Sequence, residues 1–160
     1  ATTLQVGDQA PAFSLLDQNG ERRRLADYQG GWLVLYFYPK DDTPGCTTEA
    51  CQFRDDVPQF KAMGVSVVGV SLDDVGSHKA FAEKYHLPFP LLADTDAQVA
   101  EAYGVVMKLV FWKLAKRQTF VIGPDGKIAK IYREVTPKSH SDRVIADLQA
   151  LGVSADTAEG

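Results

Sequence analysis

Two cysteines, Cys46 and Cys51, are the only ones in the 160 residues, and both lie in one stretch, Pro39-Lys-Asp-Asp-Thr43-Pro-Gly-Cys46-Thr-Thr-Glu49-Ala-Cys51. A chain of this size needs no disulfide framework. Two thiols five residues apart are too few for a complete zinc site. Reactive thiol chemistry remains, beside an accident of composition. The attacking species in such chemistry is the thiolate. Thr43 followed by Pro44 is a helix opening, a cap and then proline at the first position. Cys46 then falls in the first turn, where free N–H donors and the helix dipole favour an anion. Asp41 and Asp42 oppose that effect if they lie close, so a further cation is needed.

The elements that must hold this segment alternate along the chain. Apolar, β-branched runs at 33–38, 65–71 and 119–122 read as buried strands. Helical spacing marks 47–63, 77–85, 97–103 and 138–151. Turn signals at Asp17-Gln-Asn-Gly20 and Gly123-Pro-Asp-Gly126 predict two hairpins, 13–16 with 22–25 and 119–122 with 127–132. Strand, helix, strand, helix, strand, hairpin and helix predict a three-layer α/β fold with a central mixed sheet. Cys46 follows the carboxyl end of a strand, where open α/β sheets bind ligands. Pro58 interrupts the helix over 47–63 and predicts a kink there, or two shorter helices.

Pro39, Thr43 and Cys46 stand in the order Pro, three residues, Thr, two residues, Cys. With the flanking stretch 37–55, and from Gly7-Asp-Gln-Ala-Pro-Ala-Phe to the last helix, the chain resembles the peroxiredoxins of the Q type, the bacterioferritin comigratory proteins. The resemblance implies a thioredoxin-like fold with an N-terminal β-hairpin. It implies Cys46 as the peroxidatic cysteine, Thr43 bonding thiolate and peroxide, and Pro39 shielding the pocket. It implies Arg117, in Arg117-Gln-Thr-Phe, as the missing cation, and Glu49 as the carboxylate that holds it. Cys51 is the implied resolving cysteine. No cofactor and no metal are implied.

The five-residue spacing sets a condition on that last role. On an α-helix, positions 46 and 51 have Cα atoms about 8–9 Å apart. A disulfide needs about 7 Å or less. The first turns must therefore unwind if the two join. The unwound disulfide would be open to thioredoxin or a glutaredoxin-type reductant by thiol exchange. The expected activity is reduction of hydrogen peroxide and organic hydroperoxides. A thioredoxin-like disulfide oxidoreductase is the main alternative, but its usual motif is Cys-x-x-Cys. A redox sensor or holdase is the other; slow oxidation without turnover would mark it.

The chain is 45% hydrophobic and 24% charged, with net charge −4. That balance fits one globular domain over 1–160, with 152–160 as a flexible tail. It argues against nucleic acid or an anionic membrane as the main partner. No apolar run approaches the roughly 20 residues of a membrane helix. A monomer in the bacterial cytoplasm is expected. The Ala1 start is equally what removal of an initiator Met or of an organelle-targeting leader leaves. His78, His86 and His140 read as surface residues, and Asp94 and Asp96 as a turn or helix cap before Ala97. The stretch Val105-Val-Met-Lys-Leu-Val-Phe-Trp112 reads either as core packing or an extra helical turn, or as an apolar wall beside the pocket.

Overall fold

The computed structural model describes residues 3–153. The tail expected at 152–160 lies, from residue 154 onward, outside the described residues. A short hairpin, β1 (Ser14–Leu16) with β2 (Arg22–Arg24), precedes the main sheet. The sheet is built from β3 (Trp32–Phe37), β4 (Val65–Ser71), β5 (Leu91–Ala93), β8 (Gln118–Ile122) and β9 (Ile128–Tyr132). Its order is β5-β4-β3-β8-β9. The β3–β4 and β4–β5 pairs are parallel, and the β3–β8 and β8–β9 pairs antiparallel, so the sheet is mixed. The parallel steps are made by α1 (Pro44–Ala62) and α2 (Val75–Tyr85). A 3-10 turn at Leu25–Tyr28, three shorter pieces and the last helix complete the described residues: α3 (Gln98–Ala102), β6 (Val106–Lys108), β7 (Lys113–Ala115) and α4 (His140–Ala150).

The period of two along β3 creates two cores. Val34, Tyr36 and Tyr38 face a cluster with Ala50, Phe53 and Phe60 of α1, Phe81 of α2, and Val144 and Leu148 of α4. Leu33, Leu35 and Phe37 face the other, with Val70, Tyr103 and Phe120. A strand buried on both faces reads as a continuous apolar run, which is why β3 is unambiguous in the sequence. The result is the thioredoxin-like three-layer fold with its N-terminal hairpin.

Three expectations are corrected. Helix α1 is one helix from Pro44 through Pro58 to Ala62, not two shorter ones. Pro58 is exposed, so the helical bond it cannot make is lost on the solvent side, while Phe53 and Phe60 stay buried on either side of it. His78 and His140 are buried rather than on the surface; His86 alone is exposed. Residues 105–112 are not a helical turn, and beyond Val106 they are not core: they supply β6 and the exposed tip of the β6–β7 hairpin. Asp94 does cap α3, accepting from Val99 N at 3.2 Å and Ala100 N at 2.7 Å.

Candidate active site

The strand β3 delivers the chain to Tyr38, and the loop from Tyr38 to Thr43 turns it into α1. Both acidic loop residues are drawn off toward α2. Asp41 accepts from Tyr38 Oη at 2.6 Å and Ser77 Oγ at 2.8 Å, and its Oδ2 lies 2.7 Å from His78 Nδ1. His78 Nε2 lies 2.9 Å from the Leu92 carbonyl. Both ring nitrogens therefore face oxygen atoms. Asp42 takes the left-handed conformation, φ 57°. Lys84 Nζ and Tyr85 Oη hold it there by donating to its carboxylate at 2.8 and 2.9 Å. Those two bonds also hold its carboxyl below the usual range. The charges that threatened to oppose a thiolate are thus engaged elsewhere.

Thr43 occupies the N-cap position and Pro44 begins α1. The Thr43 hydroxyl makes no cap bond; it donates to the Lys40 carbonyl at 2.8 Å. The first helical bond runs from Thr47 N to Thr43 O at 2.8 Å. The N–H groups of Gly45 and Cys46 therefore have no helical acceptor and stand at the positive end of the dipole. Cys46 is 1% exposed and Cys51 half-buried, and both are free thiols.

Arg117 reaches this end of the helix through strand register. Phe37 pairs with Gln118, so Arg117 stands opposite the carboxyl end of β3. Its guanidinium forks: Nη2 donates to Cys46 Sγ at 3.3 Å and Nη1 to Glu49 Oε1 at 2.8 Å. Glu49 is fully buried, and burial pushes its carboxyl up to about 7 against the opposing charge and hydrogen bond of Arg117. Among the described residues, its second oxygen, Oε2, has no hydrogen-bond partner.

Cys46, Glu49 and Arg117 are thus brought together, from positions up to 71 residues apart. Thr43 stands one turn away without a bond to Cys46. Pro39 is half-buried and lines an open cleft with Leu72, Trp112 and Leu114. Sequence reasoning missed two residues. Gly45 matters because a Cβ there would lie 2.9 Å from Arg117 Nη2. Its signal was a glycine in a first helical turn, where alanine is favoured by about 1 kcal/mol. His78 matters because it anchors Asp41 across 37 residues. No local pattern announces that contact.

Comparison with known proteins identifies the family. The AhpC/TSA family model matches residues 6–131. Peroxiredoxin Bcp of Bacillus subtilis is 41% identical over 157 residues, covering 92% of this chain and 96% of that protein. A mutant of PrxQ from Xylella fastidiosa has a crystal structure that superposes with a TM-score of 0.89 at 35% identity, over 95% of this chain and 99% of that one. Bacterioferritin comigratory protein of Xanthomonas campestris, characterised for alkyl peroxide reduction, superposes with a TM-score of 0.81 at 37% identity, over 86% and 90%. A cysteine at a helix start, faced by an arginine from a neighbouring strand, sits in a chain that matches these proteins almost end to end: it belongs to the AhpC/TSA family, among the peroxiredoxins of the Q/Bcp type.

Proposed function

We propose that Cys46 is the peroxidatic cysteine of this peroxiredoxin and that it reduces hydrogen peroxide and organic hydroperoxides. The observation that carries the reading is the Arg117 Nη2 donor at 3.3 Å from Cys46 Sγ, at the start of a helix. The thiolate attacks one peroxide oxygen and the O–O bond breaks. Sulfur is oxidised by two electrons to the sulfenic acid. The other oxygen takes up a proton and leaves as water or an alcohol. Arg117 and the unpaired N–H groups of Gly45 and Cys46 oppose the charge that builds on the oxygens. The Thr43 hydroxyl donates its hydrogen bond to Lys40 O, so its oxygen keeps a lone pair for the hydroperoxide O–H. Pro39 covers the approach, and Glu49 holds the second arm of the guanidinium.

Cys51 completes the cycle in this reading. Its thiolate attacks the Cys46 sulfenic acid, the sulfenic oxygen leaves as water, and an intramolecular disulfide forms. The first turns of α1 unwind to allow it. A dithiol protein of the thioredoxin or glutaredoxin type then reduces the bond through a mixed disulfide. The chain works as one domain and as a monomer.

Mass spectrometry after one equivalent of hydrogen peroxide tests this. A product lighter by two hydrogens, with the Cys46 and Cys51 peptides linked, is expected. Oxidation without that link, or without turnover when a dithiol reductant is supplied, would remove the resolving role or the peroxidase cycle respectively.

A further inference from the structure

The hairpin β6–β7 stands apart from the main sheet. Its pairs are Val106 with Ala115, Met107 with Leu114 and Lys108 with Lys113. Leu109 N donates to Trp112 O at 2.8 Å and closes the turn. The tip is apolar and faces solvent: Leu109 is 41% exposed, Val110 90%, Phe111 87% and Trp112 58%. Single exposed apolar residues are ordinary; four in succession on a protruding turn are not.

The charge around the tip is equally unusual. Residues 105–117 hold four basic residues, Lys108, Lys113, Lys116 and Arg117, and no acidic one, in a chain of net charge −4. Lys113 reaches Glu101 at 3.1 Å. Among the described residues, Lys108 and Lys116 make no ion pair. The hairpin is also one wall of the cleft that Pro39 and Lys40 line from the cysteine loop.

We propose that this hairpin inserts into the interface of an anionic lipid bilayer and seats the cleft beside hydroperoxides of membrane lipids. The substrate part rests on the peroxidase reading above; the binding part does not. An apolar wedge with aromatic rings and a basic neck is what an anionic interface accepts. Two residues of chain from Lys108 to Val110 reach at most about 7 Å, within the 5–10 Å that interfacial elements reach. A second copy of the chain is a poorer occupant, because a narrow convex tip does not complement itself and falls short of the roughly 800 Å² per partner of stable interfaces. The net charge of the whole chain argues against a membrane partner. The local balance at the hairpin is the reverse, and screening limits the reach of the distant acidic residues.

Co-sedimentation with vesicles tests the binding. The native chain should sediment with phosphatidylcholine–phosphatidylglycerol vesicles, less with phosphatidylcholine alone, and less as salt rises. The double variant Val110→Ser/Phe111→Ser should bind at least about tenfold more weakly while turning over hydrogen peroxide at the native rate. Absence of binding by the native chain, or equal binding by the variant, overturns the proposal. So does a concentration-dependent dimer that the variant loses without any vesicle binding. Phospholipid hydroperoxide in the same vesicles should be reduced more slowly by the variant; equal rates overturn the substrate part. Failure of the native chain on hydrogen peroxide would instead be failure of the peroxidase reading, and the co-sedimentation result would still decide the membrane part.

Discussion

The Arg117 guanidinium lies over Gly45 so closely that a Cβ at that position would come within 2.9 Å of Nη2. The same nitrogen is the one that donates to Cys46. Gly45→Ala should therefore push the guanidinium off the sulfur while leaving the helix intact. Alanine favours the helix by up to about 1 kcal/mol over glycine, so thermal stability should hold or rise. The rate of Cys46 oxidation should fall by about ten- to a hundredfold, or about 1.4–2.7 kcal/mol of barrier. Stopped-flow mixing with hydrogen peroxide reads that rate. A native rate in the alanine variant would mean that the Nη2 contact contributes nothing.

That relationship also marks where the sequence stops being readable. The apolar run of β3, the Thr43-Pro44 helix opening and the turn at Gly123–Gly126 each carry a local signal, and each element stands where its pattern put it. The cysteine–arginine encounter is different. It depends on β8 pairing beside β3 with Phe37 against Gln118, and only the family resemblance pointed to it. His78 looked like a surface residue because its neighbours are polar. Its burial follows from the docking of α2 and its bond to Asp41, which no window of sequence contains. For residues 105–112 the reading as core packing failed in the opposite direction. Apolar composition predicts burial, but a short hairpin with no element packed over its tip leaves Phe111 in solvent.

Arginine at 117 serves two acceptors at once, Glu49 Oε1 and Cys46 Sγ. Arg117→Lys keeps the charge but has no planar fork to span both. Its oxidation rate should fall by about a hundredfold, or about 2.7 kcal/mol. Trapping of the sulfenic acid with a dimedone probe at early times measures it. Full activity in the lysine variant would show that a positive charge alone suffices and that Glu49 has no part in placing it.

Unwinding of α1 is required if Cys46 and Cys51 are to join. Cys46, Glu49, Ala50 and Phe53 are the buried positions of its first half. Phe53 stacks on Tyr36 at 4.7 Å between ring centroids, the tightest aromatic contact of the helix. We predict that unwinding stops there. Melting through Cys51 frees the amides of 47–55, since each donates four residues back. In the oxidised protein those amides should exchange faster by several orders of magnitude, while the amides of 56–62 keep their protection. Equal protection of 47–55 in the two redox states would count against the unwinding.

The pH dependence of stability should be shaped by two buried groups that act in opposite senses. Burial pushes Glu49 up from 4.5 to about 7. The native state therefore holds its proton where the unfolded chain has lost it. The stability from Glu49 is complete below pH 4.5 and is lost as pH rises toward 7. Burial first, then the charges of Arg143 and Arg117, pushes His140 down from 6.5 to about 4. Its stability is complete above pH 6.5 and is lost as pH falls toward 4. Each shift corresponds to about 3 kcal/mol across its window, so between pH 4.5 and 6.5 the two slopes nearly cancel. Urea unfolding of the native chain at a series of pH values should show little change from this pair. Glu49→Gln should uncover the His140 contribution, and stability should rise with pH. His140→Gln should uncover the Glu49 contribution, and stability should fall. Each substitution also removes contacts, Arg117 in one case and Thr119 in the other, and so shifts its whole curve. The slope is therefore the test: parallel pH profiles for all three proteins would show that neither group is perturbed by its burial.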